Sequence, residues 1–129
     1  MSIKVRWSDE HPALLHFDIR GRWNWQEFYL AFERACHMND SSLGQVDAIV
    51  NFLESGAMQP GALNHFRHLA QYLPENAGLI VLVSASEVKK ALYRAGCGLF
   101  PGVEQTLHLV TELEEAENLV LRERNREDA

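Results

Sequence analysis

The sequence predicts an α/β domain: a single mixed, mostly parallel five-stranded sheet with four crossover or C-terminal helices. Two short β-branched runs, Val46 to Leu53 (VDAIVNFL) and Gly78 to Val83 (GLIVLV), are nearly free of charge. Runs of that length suit strands covered by crossover helices better than they suit helices, which average about 11 residues. Helical periodicity flanks both runs, and strand and helix patterns alternate along the chain, as βαβ units require. At 129 residues with 47% hydrophobic composition, the chain is expected to form one domain over residues 1–129 with a core that needs no disulfide.

Each element has a local reason. Ile3, Val5 and Trp7 alternate with Lys4 and Arg6, which predicts a half-buried edge strand. Ser8 to Pro12 reads as a turn, so a second strand over Leu14 to Arg20 returns antiparallel. Leu15, Phe17 and Ile19 point to one face; His16, Asp18 and Arg20 point to the other, expected to meet water or a partner. Asn24 is placed to cap a helix, with Glu27 as box partner and Trp23 and Phe28 in staple positions. Trp25, Phe28, Tyr29, Phe32, Ala35 and Cys36 form its sheet-facing stripe, which ends around Met38 to Asp40.

The link Ser41–Gln45 leads to the strand Val46–Leu53, and Glu54 to Gly61 is a loop. Pro60 is expected in the first turn of a helix over Ala62 to Leu73, with Leu63, Phe66, Ala70 and Leu73 inward and Pro74 as the stop. After the strand Leu79–Val83, Ser84 and Glu87 predict a capping box for a helix with Val88, Ala91, Leu92 and Ala95 inward. Gly96 is expected to end it in a left-handed cap, making Cys97 to Gly102 an apolar loop. Gln105–Val110 is the last strand. Thr111 with Glu114 caps a final helix whose inward side is Leu113, Ala116, Glu117 or Val120, and Leu121, and the charged residues 121–129 are expected to fray.

Charge and spacing exclude several function classes. With 18 acidic against 12 basic residues and a net charge of -6, the basic footprint of a nucleic-acid binder is missing. No apolar run approaches the roughly 20 residues of a membrane span, and Met1–Asp9 has no signal-peptide pattern, so a cytoplasmic location is the default expectation. Cys36 and Cys97 form no close pair and suit a reducing compartment. No glycine among Gly56, Gly61, Gly96, Gly98 and Gly102 opens a phosphate loop, and the dinucleotide fingerprint is absent, so no nucleotide cofactor is expected. No serine sits in a nucleophile elbow.

Several constellations have a plainer reading beside the chemical one. His65 and His68 share a helix face but lack the further ligands of a zinc site, so a solvated face is expected and no metal. His16 and Asp18 share a strand face about 6.6 Å apart by backbone rise; a base with its orienting acid is the sharper reading, a solvated edge the simpler one. Trp23, Trp25, Phe28 and Tyr29 read as core packing rather than a base-stacking platform, with Trp23 the one whose exposure is in question.

A ligand or partner is expected at the shared rim of the two central strands. Asn51, Glu54 and Ser55 end the first and Ser84 and Ser86 the second, near helix N-termini whose free N–H groups favour anions. Met58, Gln59 and Gly61 belong to the loop between them. Leu99 and Phe100, flanked by Gly98 and Pro101, form an apolar tip suited to an interface or a lid. Ser84 is more simply a cap than a nucleophile.

Several phrases together resemble the SpoIIAA-like proteins, relatives of the STAS domain of anti-sigma-factor antagonists. They are LLHFDIRG, the helix opening Trp23-Asn24-Trp25, VDAIVNFLES, GLIVLVSAS and LHLVTELEEAENLV, and the resemblance covers roughly Ile3 to Leu121. It implies a βα superhelix with crossover helices mainly on one side of the sheet. In the antagonists a serine opening the helix after the third strand is phosphorylated, in a pattern like Asp-Ser-Ser-Gly-Leu. The equivalent stretch here is Gln59-Pro60-Gly61-Ala62-Leu63, with proline and glycine in the serine positions and Ser55 earlier in the loop, so no phosphoserine switch is expected.

The likeness of the SpoIIAA-like group to the lipid-binding CRAL-TRIO fold allows an apolar cleft between sheet and helices, with Met58, Leu99 and Phe100 at its rim. The leading expectation is a non-enzymatic binding or regulatory module that contacts a protein partner or a second copy of itself. The alternative is a carrier of a small apolar or lipid-like ligand in that cleft. An enzyme using His16 or His65 comes third.

Overall fold

A computed structural model of the chain describes residues 2–40, 44–99 and 105–128. The strands are β1 (Ile3–Trp7), β2 (Leu14–Gly21), β3 (Val46–Ser55), β4 (Ala77–Val83) and β5 (Leu107–Val110); the helices are α1 (Trp25–Asp40), α2 (Ala62–Ala70), α3 (Glu87–Leu99) and α4 (Leu113–Asp128). The link residues Ser41 to Leu43 and the tip from Phe100 to Glu104 lie outside the described residues.

The strands form one sheet in the order β1-β2-β3-β4-β5. β1 runs antiparallel to β2, and the other three pairs are parallel. β3 and β4 are neighbours with Asn51 opposite Val83, so their outgoing ends share one rim, as the charge-free runs predict. Both faces of these strands are covered, which is why neither run has a polar alternate row. On one face Val46, Val50 and Phe52 join α1 residues Phe28, Ala31 and Ala35 and α2 residue Leu69. On the other, Ile49, Val81 and Val83 pack with Ala116 and Val120 of α4.

Covering the back face changes several expectations. His16 is only 3% exposed and Leu14 is fully buried, because α4 lies over the face assigned to water. On the opposite face Trp23, read as core packing, is indeed 1% exposed, set edge-on to Trp25 at 4.9 Å between ring centroids. The C-terminal segment does not fray at residue 121: α4 continues to Asp128, and Arg124 is tied down. Its Nε meets the buried Asp47 carboxylate at 2.8 Å, and its other nitrogens donate to the Pro12 and Ala13 carbonyls at 2.7 and 2.8 Å.

The Asp47 carboxylate also accepts the Leu79 N–H at 2.8 Å. Register shifts here: Val46 faces Ala77 but Ala48 faces Ile80, so Gly78 and Leu79 stand opposite Asp47 as a bulge. Gly78 is required because a Cβ there would run into the side chains of Gln45 and Asp47.

Helix starts divide between prediction and correction. Asn24 Oδ1 accepts the Glu27 N–H at 2.8 Å, as read. The cap of α3 is Ser86, whose Oγ accepts the Lys89 N–H at 3.4 Å; Ser84 makes a tight turn by accepting the Ser86 N–H at 3.1 Å. At α2 the cap is Gly61 at φ 82, a left-handed conformation that suits glycine, so Pro60 lies before the helix rather than in its first turn. Gly96 lies inside α3, which runs three residues further to Leu99, rather than ending it. α4 starts at Leu113, and Thr111 donates to the Glu115 carboxylate at 2.9 Å instead of capping.

Candidate functional site

Between the sheet and α1, α2 and α3 lies a cavity of about 580 Å³. Its floor is the row of side chains that β3, β4 and β5 turn toward these helices, including Val50, Ile80, Leu82, Leu107 and Leu109. Phe28 and Phe32 of α1, Leu63, Phe66 and Leu69 of α2, and Leu92 and Tyr93 of α3 complete it. Ile80 and Leu82 are only half-buried, whereas Val81 and Val83 on the back face are fully buried. Cores close-pack with few voids larger than a water molecule; here the helices stand off the sheet.

The position of α3 explains the gap. Its inward side is Lys89, Leu92, Tyr93, Gly96 and Cys97, while Val88 is 67% exposed and Ala91 and Ala95 are also exposed. The predicted stripe is therefore rotated, with only Leu92 retained. Tyr93 fixes this setting by donating its hydroxyl to the Leu107 carbonyl at 2.8 Å. A Cβ on Gly96 would stand 3.5 Å from Leu63, so α2 and α3 touch each other across the top of the cavity. α2 is anchored to α1 by Trp25, which stacks on His65 at 4.5 Å and donates to the Pro60 carbonyl at 2.8 Å. Tyr29 Oη lies 2.7 Å from His65 Nδ1. His65 is thus half-buried rather than solvated, and His68 is exposed.

The cavity's charge is one-sided. Among the described residues no Asp or Glu lines it, although Arg67 and Lys89 do. Arg67 is exposed. Lys89 is half-buried, donates from Nζ to the Gly56 carbonyl at 3.1 Å, and has its ammonium pushed below the ordinary 10.5 by burial. Ser84, which follows the last residue of β4, also lines the cavity and is 2% exposed. Cys36 and Cys97 also line the cavity. Burial first, then the charges of Asp40 and Glu33, raise the Cys36 thiol above its ordinary value.

Of the rim residues singled out in the sequence, Met58 and Ser84 line this cavity. Asn51 is turned to the α4 face, where its Oδ1 accepts the Leu53 N–H at 2.9 Å. Glu54 is paired with Arg20 at 2.9 Å on the surface. Ser55 donates within its own turn to Phe52 and Gly56, and Gln59 reaches the Ala57 carbonyl at 3.5 Å. Gly61 and Ser86 serve as helix caps. Leu99 ends α3, and Phe100 lies outside the described residues.

Lys89 lies outside the stripe of Val88, Ala91, Leu92 and Ala95 that the sequence predicts to face inward. The signal for it was the spacing of Lys89 with Leu92, Tyr93, Gly96 and Cys97, a second helical stripe beside the one chosen. Elsewhere, Glu10, His11 and Glu117 hold ligand-type atoms within 4.8 Å of one another at the surface, an arrangement that acidic surfaces adopt without an ion. Among the described residues no helix is long and apolar enough to cross a membrane. Protein-family models give no match to this chain, and no curated protein matches it.

Proposed function

We propose that this protein is a non-enzymatic binding module whose cleft takes up a small apolar or lipid-like molecule. The observation that supports this reading is the cavity of about 580 Å³ between the sheet and α1–α3, with almost wholly apolar walls. Ligand pockets span roughly 300–1,000 Å³ and combine such walls with a few placed polar groups. An apolar molecule entering it exchanges poorly hydrated wall for contact, the source of affinity in such sites. The SpoIIAA-like resemblance stays part of the proposal, supported by sequential strand order with three helices on one face. A reducing, cytoplasmic setting belongs with it, supported by the unpaired thiols Cys36 and Cys97.

Titration with Nile red, followed by displacement with decanol, tests the reading. Wild type is expected to bind the dye and release it to decanol. Ala48→Trp, which plants a large ring on the cavity floor, is expected to weaken binding at least roughly tenfold, equivalent to about 1.4 kcal/mol. A folded wild type that binds neither probe, or a folded Ala48→Trp that binds both unchanged, contradicts it.

A second reading, contact with a protein partner or a second copy, is favoured by exposed Leu53 at the end of β3 and Val88 at the start of α3, both at the shared rim. Light scattering after size-exclusion chromatography tests the self-association part. A strict monomer at high concentration removes it.

A further inference from the structure

We propose that the molecule held in the cleft is a long-chain monocarboxylate, with its carboxylate on Lys89 and Ser84 where β3 and β4 end and its chain along the apolar floor. This inference rests on the reading of the cleft as a ligand site and adds the chemical class of the ligand.

Three features of the cleft point the same way. The chain has 18 acidic residues, yet among the described residues none contributes a carboxylate to the cavity wall. An anion entering there meets no like charge, whereas like charges at close range are strongly disfavoured. Lys89 is the half-buried cation of the wall, and its Nζ is held by a neutral carbonyl, that of Gly56 at 3.1 Å. An ammonium has three donors, so two remain for an incoming anion. A partly desolvated charge gains more from an ionic partner than a solvated one does.

Ser84 lies in the same wall, 2% exposed. Its Oγ accepts the Ser86 N–H at 3.1 Å, which leaves its O–H to donate. Together these groups offer one positive charge and one neutral donor, the complement of a single carboxylate rather than a dianion. Arg67, the other lining cation, sits exposed on α2 and stays hydrated. Elsewhere the polar wall is neutral, with Asn39, Gln71 and Thr106, and Asn39 is already paired reciprocally with Asn76 at 2.8 Å. The cleft therefore has one cationic end and an apolar length, the two properties that recognise a fatty-acid-like amphiphile.

Calorimetric titration of the full chain at pH 7.5 with decanoate, decanol and decyltrimethylammonium tests the assignment. Wild type is expected to bind decanoate roughly tenfold or more tightly than decanol, the size of one charge-assisted hydrogen bond, and to bind decyltrimethylammonium most weakly. Lys89→Met is expected to reduce decanoate affinity to that of decanol while leaving decanol binding within about twofold, and Lys89→Arg to restore most of the difference. Equal wild-type affinities for decanoate and decanol overturn the carboxylate assignment while leaving the apolar cleft standing. So does a Lys89→Met protein that keeps full decanoate preference. If wild type binds none of the three, the cleft reading itself fails and this inference with it. If Lys89→Met does not fold, the wild-type ranking of the three probes decides.

Discussion

Asp47 shows how much one side chain can organise. It is 2% exposed, and its carboxylate joins β3 to β4 through Leu79 N–H and to α4 through Arg124. Gly78 makes room for it. Gly78→Ala is expected to destabilise the protein by about 1–3 kcal/mol, the usual range for overpacking, measured as a lower urea midpoint with unchanged slope. His16 gives a pH signature. Burial, and then the charge of Arg6, lower its pKa from 6.5, outweighing the opposing charges of Asp18 and Glu117; His11 adds a smaller lowering effect. The unfolded chain therefore takes up a proton as pH falls through 6.5 before the folded one does, and stability drops with it. The contribution is full above 6.5 and declines below it, by at most about 1.4 kcal/mol per pH unit. Urea midpoints at pH 7.5 and 5.5 are expected to differ less in His16→Phe than in wild type; an equal or larger difference would contradict the burial argument. The polar alternate row of β2 made His16 look solvated because the row says nothing of which helix covers it.

At the scale of elements, α4 and α3 separate what periodicity reveals from what packing decides. The inward residue Ala116 was legible in α4, and the structure decides the open choice between Glu117 and Val120 for Val120; the helix's length was not legible. A charged helix end reads as frayed until Arg124 finds Asp47, and a sequence separation of 77 gives no local signal. Deleting residues 126–129 is expected to change stability by less than about 0.5 kcal/mol, since the Arg126–Glu123 pair is exposed. Deleting residues 124–129 is expected to cost about 3 kcal/mol, the lower range for breaking a buried ion pair. Equal losses from the two truncations, read by thermal unfolding, would show that Arg124 is not the tie. In α3 two stripes of helical spacing compete, one from Val88 through Ala95 and one from Lys89 through Cys97. Sequence periodicity favours the first, which is wholly apolar. The hydroxyl of Tyr93 on the Leu107 carbonyl selects the second, and with it the side of the helix that turns Lys89 toward the cleft.

At the scale of the whole molecule, the adjacency of β3 and β4 was readable because β-branched, charge-free runs need cover by helices, whereas the full strand order β1-β2-β3-β4-β5 came only from the structure. A cleft between sheet and helices followed from the resemblance alone; no residue pattern reports it. Ile80, Leu82, Leu107 and Leu109 are the residues a packed core would use, and a gap is a property of the distance between layers rather than of any residue. The most direct measurement is a set of intermolecular nuclear Overhauser effects between decanoate and methyl-labelled protein. Contacts from the alkyl chain to Ile80, Leu82, Leu92 and Leu109 are the predicted result. Contacts confined to the surface methyls of Leu30, Leu53 and Val88, or none at saturating ligand, would contradict it.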